Sequence, residues 1–203
     1  MLIGKDKSIN EQINILEQIL KTSKNIMTIL KILEEYKKEN KDFENYYLSA
    51  GCINQTVFNY YHNYDINYGI EDYDIVYYDE DTSYEKEDKI IKDLEVKLKS
   101  LNLSFDIKNE KRVPIWYNEK YNANRKDYSS VEEAISRWGT TITCIGVRIE
   151  NDKLFVCAPY GLNDLFNLTL RPVKTDFTKE MYERKVAKWT SKWKYLKALD
   201  YDE

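Results

Sequence analysis

Between Ile70 and Tyr78 the chain reads Ile-Glu-Asp-Tyr-Asp-Ile-Val-Tyr-Tyr, a β-branched and aromatic run that predicts a strand with two aspartates set two apart inside it. In a strand, residues i and i+2 face the same side, so Asp72 and Asp74 project together, about 7 Å apart at the backbone. Two ionised carboxylates at that spacing repel, and the arrangement costs stability unless a positive charge lies between them. A divalent cation carrying a phosphate-bearing ligand supplies that charge in many proteins. The segment therefore fixes one strand of the fold and marks a candidate site on it.

The 203 residues, 42% hydrophobic and 33% charged, can bury a core of their own. The pattern suggests an N-terminal helical flank over 1–44, a core over 45–175 and a C-terminal helix over 176–203 packed on that core. No apolar run approaches the ~20 residues of a membrane-spanning helix. Met1–Lys7 has no apolar core of the secretory kind. The three cysteines, Cys52, Cys144 and Cys157, make no Cys-x-x-Cys pair. They read as buried thiols in a reducing, cytoplasmic setting, with no disulfide-linked partner. His62 is the single histidine, which excludes a multi-histidine metal centre and argues against a serine–histidine triad.

Charge is unevenly spread. Residues 65–95 carry twelve Asp/Glu against three Lys, and residues 171–197 carry nine Lys/Arg against three Asp/Glu. Solvated helix faces account for such runs in many proteins; a cation site beside a basic flank for phosphates is the functional alternative.

Along the chain, Ser8-x-x-Glu11 has the form of a capping box opening a helix with Ile9, Ile13, Leu16 and Leu20 on one face. A second helix is expected from Ser23 to Tyr36, then a short strand over 45–49, a break at Ala50-Gly51 and a third helix through Tyr61. After the Asp72–Asp74 strand, Thr82-x-x-Glu85 suggests another box, with Ile90, Ile91, Leu94, Leu98 and Leu101 facing the sheet. Leu103–Lys108 is a strand that brings in Asp106. A loop follows, then a helix from Ser130 to Trp138, a strand from Thr141 to Ile149 and a return strand over 154–158. Pro159–Phe166 reads as a corner with Asp164 capping a turn, Asn167–Arg171 as a strand, and Thr178–Leu199 as a final helix whose lysines point outward.

The order of strand, Gly51, helix, Asp72-x-Asp74 strand, helix and Asp106 strand resembles the DNA polymerase β-type nucleotidyltransferase superfamily. A closer resemblance, over about residues 45–195, is to a family of small bacterial nucleotidyltransferase-like proteins. It rests on Ser49-Ala50-Gly51, Asp72-Tyr73-Asp74, Asp106-Ile107-Lys108-Asn109 with Arg112, Ala134-Ile135 before Trp138, Ala158 to Phe166, and Arg171-Pro172.

The resemblance implies an α+β fold with a mixed central sheet flanked by helices. It also implies transfer of NMP from an NTP to an unidentified acceptor, with Mg²⁺ or Mn²⁺ as cofactor. Two metal ions about 4 Å apart can hold the attacking and leaving oxygens of such a displacement. Asp72 and Asp74 would bridge them, and Asp106 would serve the acceptor side. Ser49, Gly51, Cys52 and Arg112 would face the nucleotide, Gly51 offering backbone N–H groups at a helix start. Arg112 suits either a phosphate fork or a structural ion pair. Cys52 stands where the superfamily places Gly or Ser. Protein, RNA and small-molecule acceptors all remain open, and no membrane partner is expected. Two alternatives are a non-catalytic nucleotide- or RNA-binding module and a glycosyltransferase using Asp-x-Asp. Asp106 on a separate strand argues against the second.

Overall fold

The computed structural model describes all 203 residues. Its frame is a five-stranded sheet in the order β3-β2-β1-β4-β5. The strands are β1 (Tyr46–Ser49), β2 (Tyr73–Tyr77), β3 (Phe105–Asn109), β4 (Gly146–Glu150) and β5 (Lys153–Cys157). Only β2 and β3 run parallel, because the helix between them carries the chain back across the sheet. The other neighbours are antiparallel.

Period-two alternation gives the sheet two unlike faces. Tyr46, Leu48, Tyr73, Ile75, Tyr77, Ile107 and Val147 enter one large core. Tyr47 and Val76 enter a smaller cluster with Val131, Ile135, Cys144 and Val173. On that second face the same alternation also sets out Ser49, Asp74 and Asp106, and there the sheet is only partly covered.

Four helices supply most of the helical residues of the large core: α1 (Ile9–Leu20), α2 (Lys24–Glu39), α3 (Gly51–His62) and α4 (Tyr84–Leu98). The capping box at Ser8 and Glu11 forms. The face α1 buries is Gln12, Leu16, Ile19 and Leu20, while Ile9 is exposed. Gln12 is turned inward because its side-chain amide donates to the Gly4 carbonyl at 2.9 Å. Helix α2 shows the expected stripe but runs past Tyr36, with Lys37 and Lys38 in its last turn, where cations favour the dipole. Before α4 the Thr82 box does not form. Ser83 is the cap residue without a side-chain bond, and Asp81 accepts from its backbone N–H at 2.9 Å instead.

The remaining helices are α5 (Val113–Tyr121), α6 (Val131–Ser136), α7 (Asn163–Phe166) and α8 (Lys179–Lys192). Helix α5 replaces part of the expected loop, with Pro114 in its first turn. Helix α6 is shorter than expected and is capped by Ser130. The strand expected from Thr141 begins only at Gly146, since the Thr143 hydroxyl donates to the Thr140 carbonyl at 2.8 Å and holds a turn there. The corner at Pro159–Phe166 contains α7, and Asp164 there pairs with Arg171 at 2.8 Å rather than only capping a turn.

Strand β6 covers only Thr169–Leu170 and pairs in parallel with β7 (Lys197–Ala198). The final helix thus ends at Lys192, not Leu199. Trp193 leaves the helix in an extended conformation, and its fully buried ring holds the turn. The Trp193 indole N–H donates to Asn59 Oδ1 at 2.7 Å, and the Asn59 amide donates to the carbonyls of Ile66 and Tyr68. The Tyr182 hydroxyl meets the carbonyls of Leu170 and Leu199, both at 2.8 Å.

Asn59 therefore joins α3, the chain before β2 and the end of α8. Replacing it by Ala strands one buried donor and two carbonyls, at a cost of roughly 3 kcal/mol. Asn59→Ala should lower the melting temperature by about 6–12 °C for a chain of this size. A drop of under two degrees or so in a thermal melt would show the hub to be dispensable.

Candidate active site

At the end of β1 the backbone turns at Ala50, which holds φ 55° and ψ −128°, and α3 begins at Gly51. A non-glycine residue at positive φ is costly, so the surrounding fold holds this elbow in place. The first turn of α3 and its free N–H groups open on a cleft of about 640 Å³, within the range of small-molecule sites. Gln55, one turn on, also faces the cleft, and its buried carbonyl oxygen has no partner.

The register of the sheet places Ser49, Asp74 and Asp106 on one rung: Ser49 lies opposite Asp74, and Asp74 opposite Asp106. Asp72, one residue before β2, is exposed at the same mouth. All three aspartates line the cleft. Burial, then the charges of Asp72 and Asp106, push the Asp74 carboxyl up to about 7, against the pull of Lys108 and Lys185. Lys108, two residues along β3 on the same face, donates to Asp106 in an ion pair. Burial lowers the proton affinity of this ammonium, but the bond to Asp106 and the surrounding carboxylates outweigh it, and its pKa rises.

The opposite wall is α8. Met181, Lys185 and Trp189 are spaced by four and face the cleft together. Lys185 is thus turned inward, contrary to the outward lysine face expected from the sequence. Its ammonium lies 5.5 Å from the Phe177 ring centroid and 4.9 Å from that of Trp189, and burial lowers its pKa. It makes no ion pair, whereas Lys188 and Lys192 both hold Glu71, at 2.6 and 2.9 Å.

Other candidates fall elsewhere. Arg112 pairs with Glu87 and lies 5.7 Å from the Tyr84 ring, outside the cleft; this is the ion-pair alternative. Arg125 lines the cleft in its stead, 3.4 Å from the Tyr117 ring centroid. The Ser49 hydroxyl donates to the Asp74 carbonyl at 3.4 Å, and the Cys52 thiol to the Ser49 carbonyl at 3.3 Å. Both side chains are fully buried in the elbow, and burial pushes the Cys52 thiol well up. Trp138 and Trp189 line the cleft; Trp193 is core. His62 accepts from the Tyr195 N–H at 3.0 Å, away from the site. All three cysteines are free.

The aspartates offer the hard oxygen donors that Mg²⁺ or Mn²⁺ prefers, and two neighbouring carboxylates add to the burial of Asp74. No three carboxylate, thiol or imidazole side chains yet gather closely enough to enclose an ion, and Lys108 already occupies Asp106.

A mixed sheet carrying carboxylates on two adjacent parallel strands, with a helix N-terminus at its mouth, defines a nucleotidyltransferase-type head. The chain belongs to a nucleotidyltransferase family, whose model matches residues 38–198. Among solved structures it is similar to a protein whose NMR structure reveals a CCA-adding enzyme head domain. The two are 23% identical, with a TM-score of 0.72 covering 92% of this chain and 95% of that one. At that identity the likeness is one of fold, the polymerase β-type nucleotidyltransferase fold. No curated protein matches the chain. No helix is long and apolar enough to cross a membrane.

A carboxyl with a raised folded pKa binds its proton better in the folded state than in the unfolded one. Folding is therefore penalised progressively as pH rises from about 4 to about 7, and fully above that. In EDTA, Asp74→Asn should melt above the wild type, with a gap small near pH 4 and fully grown above pH 7. A gap independent of pH would refute the assignment.

Proposed function

We propose that the chain transfers a nucleoside monophosphate from an NTP to an acceptor hydroxyl with release of pyrophosphate. A divalent cation, Mg²⁺ or Mn²⁺, would be held by Asp72, Asp74 and Asp106. The observation that carries this reading is the Asp74–Asp106 rung, where two carboxylates lie opposite each other on parallel strands and burial and repulsion raise Asp74 to about 7. When bound, the cation supplies charge stabilisation to the reacting phosphoryl group.

The protein's own groups do the rest. The N–H groups at Gly51 and the helix dipole receive the phosphate oxygens. Lys185 and Arg184, side by side on the cleft wall, are the two cations of α8 without an ion partner and are free to neutralise the triphosphate. Asp106, on the side away from Gly51, orients the acceptor hydroxyl and takes its proton. The family match supports nucleotidyl transfer as the class of reaction.

The Lys108–Asp106 pair favours a second reading, a nucleotide-binding module without turnover, because it sets an ammonium on a required carboxylate. The purified protein incubated with labelled NTPs, Mg²⁺ or Mn²⁺ and a cell lysate separates the two. Label transfer with pyrophosphate release supports the enzyme; calorimetric NTP binding without either supports the module.

Asp72→Ala and Asp74→Ala should each bring pyrophosphate release to background while far-UV dichroism stays native. Near-wild-type turnover in either would remove the carboxylates from the chemistry. Lys185→Met should weaken NTP binding about tenfold, ~1.4 kcal/mol, as measured by calorimetry; an unchanged dissociation constant would take Lys185 out of the triphosphate site.

A further inference from the structure

A pair of divalent ions, as the resemblance to the superfamily implies, would have to share the carboxylates of β2 and β3, and one of the two places is already filled. Lys108 sits two residues along β3 from Asp106, on the same face, and donates to its carboxylate. Its register partner on β2 is the apolar Val76, which offers the ammonium nothing. Asp74, across the rung, and Glu110, two residues further along the chain, also act on its charge. Three carboxyl groups lining the cleft thus bear on one ammonium, and Asp106 has no other ion partner.

The two sides of Asp74 are unequal hosts for an ion. Mg²⁺ bound through one or two carboxylates relies on substrate phosphates for part of its shell. Strand order sets Asp74 between β1, which leads into Gly51, and β3, which carries Asp106. Phosphates received at Gly51 therefore lie on the β1 side, within reach of an ion at Asp72 and Asp74. An ion on the Asp106 side would rely on Asp106 and on what Asp74 can share, since no third carboxylate closes round it. It would also have to break the Lys108 bond, and a hydrogen bond to a charged group is worth about ten- to a hundredfold in affinity. The ammonium holds that place more cheaply than an ion from solution can.

We propose that Lys108 is a built-in cation standing in for one divalent ion, so that the cleft loads a single Mg²⁺ or Mn²⁺ at Asp72 and Asp74 and leaves the Asp106 side to the ammonium. The inference rests on the nucleotidyl-transfer reading and narrows the ligands of its cation. In the transfer, the acceptor oxygen forms the new bond to the α-phosphorus, and the bond from that phosphorus to the leaving pyrophosphate breaks. The hydroxyl proton passes to the Asp106 oxygen that Lys108 does not hold. A positive charge beside the hydroxyl favours loss of that proton. Lys108 supplies the charge from the chain itself, more weakly than a divalent ion but always in place. The Lys108–Asp106 pair then serves turnover instead of opposing it.

Counting Mn²⁺ on the whole protein tests this without turnover. The probes are Mn²⁺ and the α,β-methylene analogues of the four NTPs, which cannot release pyrophosphate. Equilibrium dialysis gives the number of bound ions, and electron paramagnetic resonance shows whether they are isolated or coupled. The wild type should hold one Mn²⁺ per chain, with the six-line spectrum of an isolated ion. Lys108→Met should gain a second, and two ions about 4 Å apart broaden each other's lines. Lys108→Arg keeps the charge and should stay at one; Lys108→Gln repeats the test if the methionine variant does not fold. Two coupled ions in the wild type would mean that Lys108 is displaced, and would overturn the inference while the transfer reading stands. A single ion in the neutral variants, or a second ion in Lys108→Arg, would also overturn it, because the ammonium then holds no ion's place. A wild type that binds no Mn²⁺ with any of the analogues overturns the transfer reading and this inference with it.

Discussion

Asp74 and Asp106 face each other across two parallel strands, and the rest of the cleft is arranged around that repulsion. Like charges directly opposite in a sheet are destabilising. Lys108 leans on one carboxylate and Lys185 reaches toward the other from α8. The stability that offsets this burden comes from the opposite face of the same sheet, where Leu48, Ile75 and Val147 are fully buried. A local conflict of this kind is one that chains keep at functional sites and offset elsewhere.

The strand-borne part of this site was legible because side-chain direction in a strand depends only on parity. Asp72 and Asp74 share a face by spacing, and the same rule extended along β3 picks out Lys108 and Glu110 beside Asp106. The helix-borne part was harder. Lys185 is spaced by four from Trp189 and Met181, so it shares their face, but a lysine among aromatic positions reads as a solvated residue until the cleft behind it is seen. Arg112 shows the limit of reading charge from sequence: its partner Glu87 lies twenty-five positions away on α4, and only the fold joins them. Helix α5 has no signature in the sequence because its apolar residues follow no helical stripe; Pro114 is its one buried residue. The ends of α8 and of β4 were set by tertiary hydrogen bonds at Trp193 and Thr143, which no local propensity encodes.

The elbow between β1 and α3 alters the part played by two residues that the resemblance assigned to the nucleotide. The Ser49 hydroxyl and the Cys52 thiol both satisfy backbone carbonyls in a turn where Ala50 sits at positive φ. Their polar atoms stabilise the shape of the turn, and the turn presents Gly51. The surface that this turn offers to the cleft at Gly51 is accordingly main chain, which tolerates cysteine at a position where a hydroxyl would otherwise be expected.

The two walls of the cleft differ in how firmly they are seated. Helix α8 is pinned near its C-terminal end by Glu71, through Lys188 and Lys192, and by the buried ring of Trp193 just beyond it. Helix α5, across from it, sinks one proline into the body of the protein. Segments with few buried contacts open at low free energy while the core stays shut. On that ground local opening is expected first in the stretch carrying Trp116 and Tyr117, and last in the buried strands that bear the carboxylate rung.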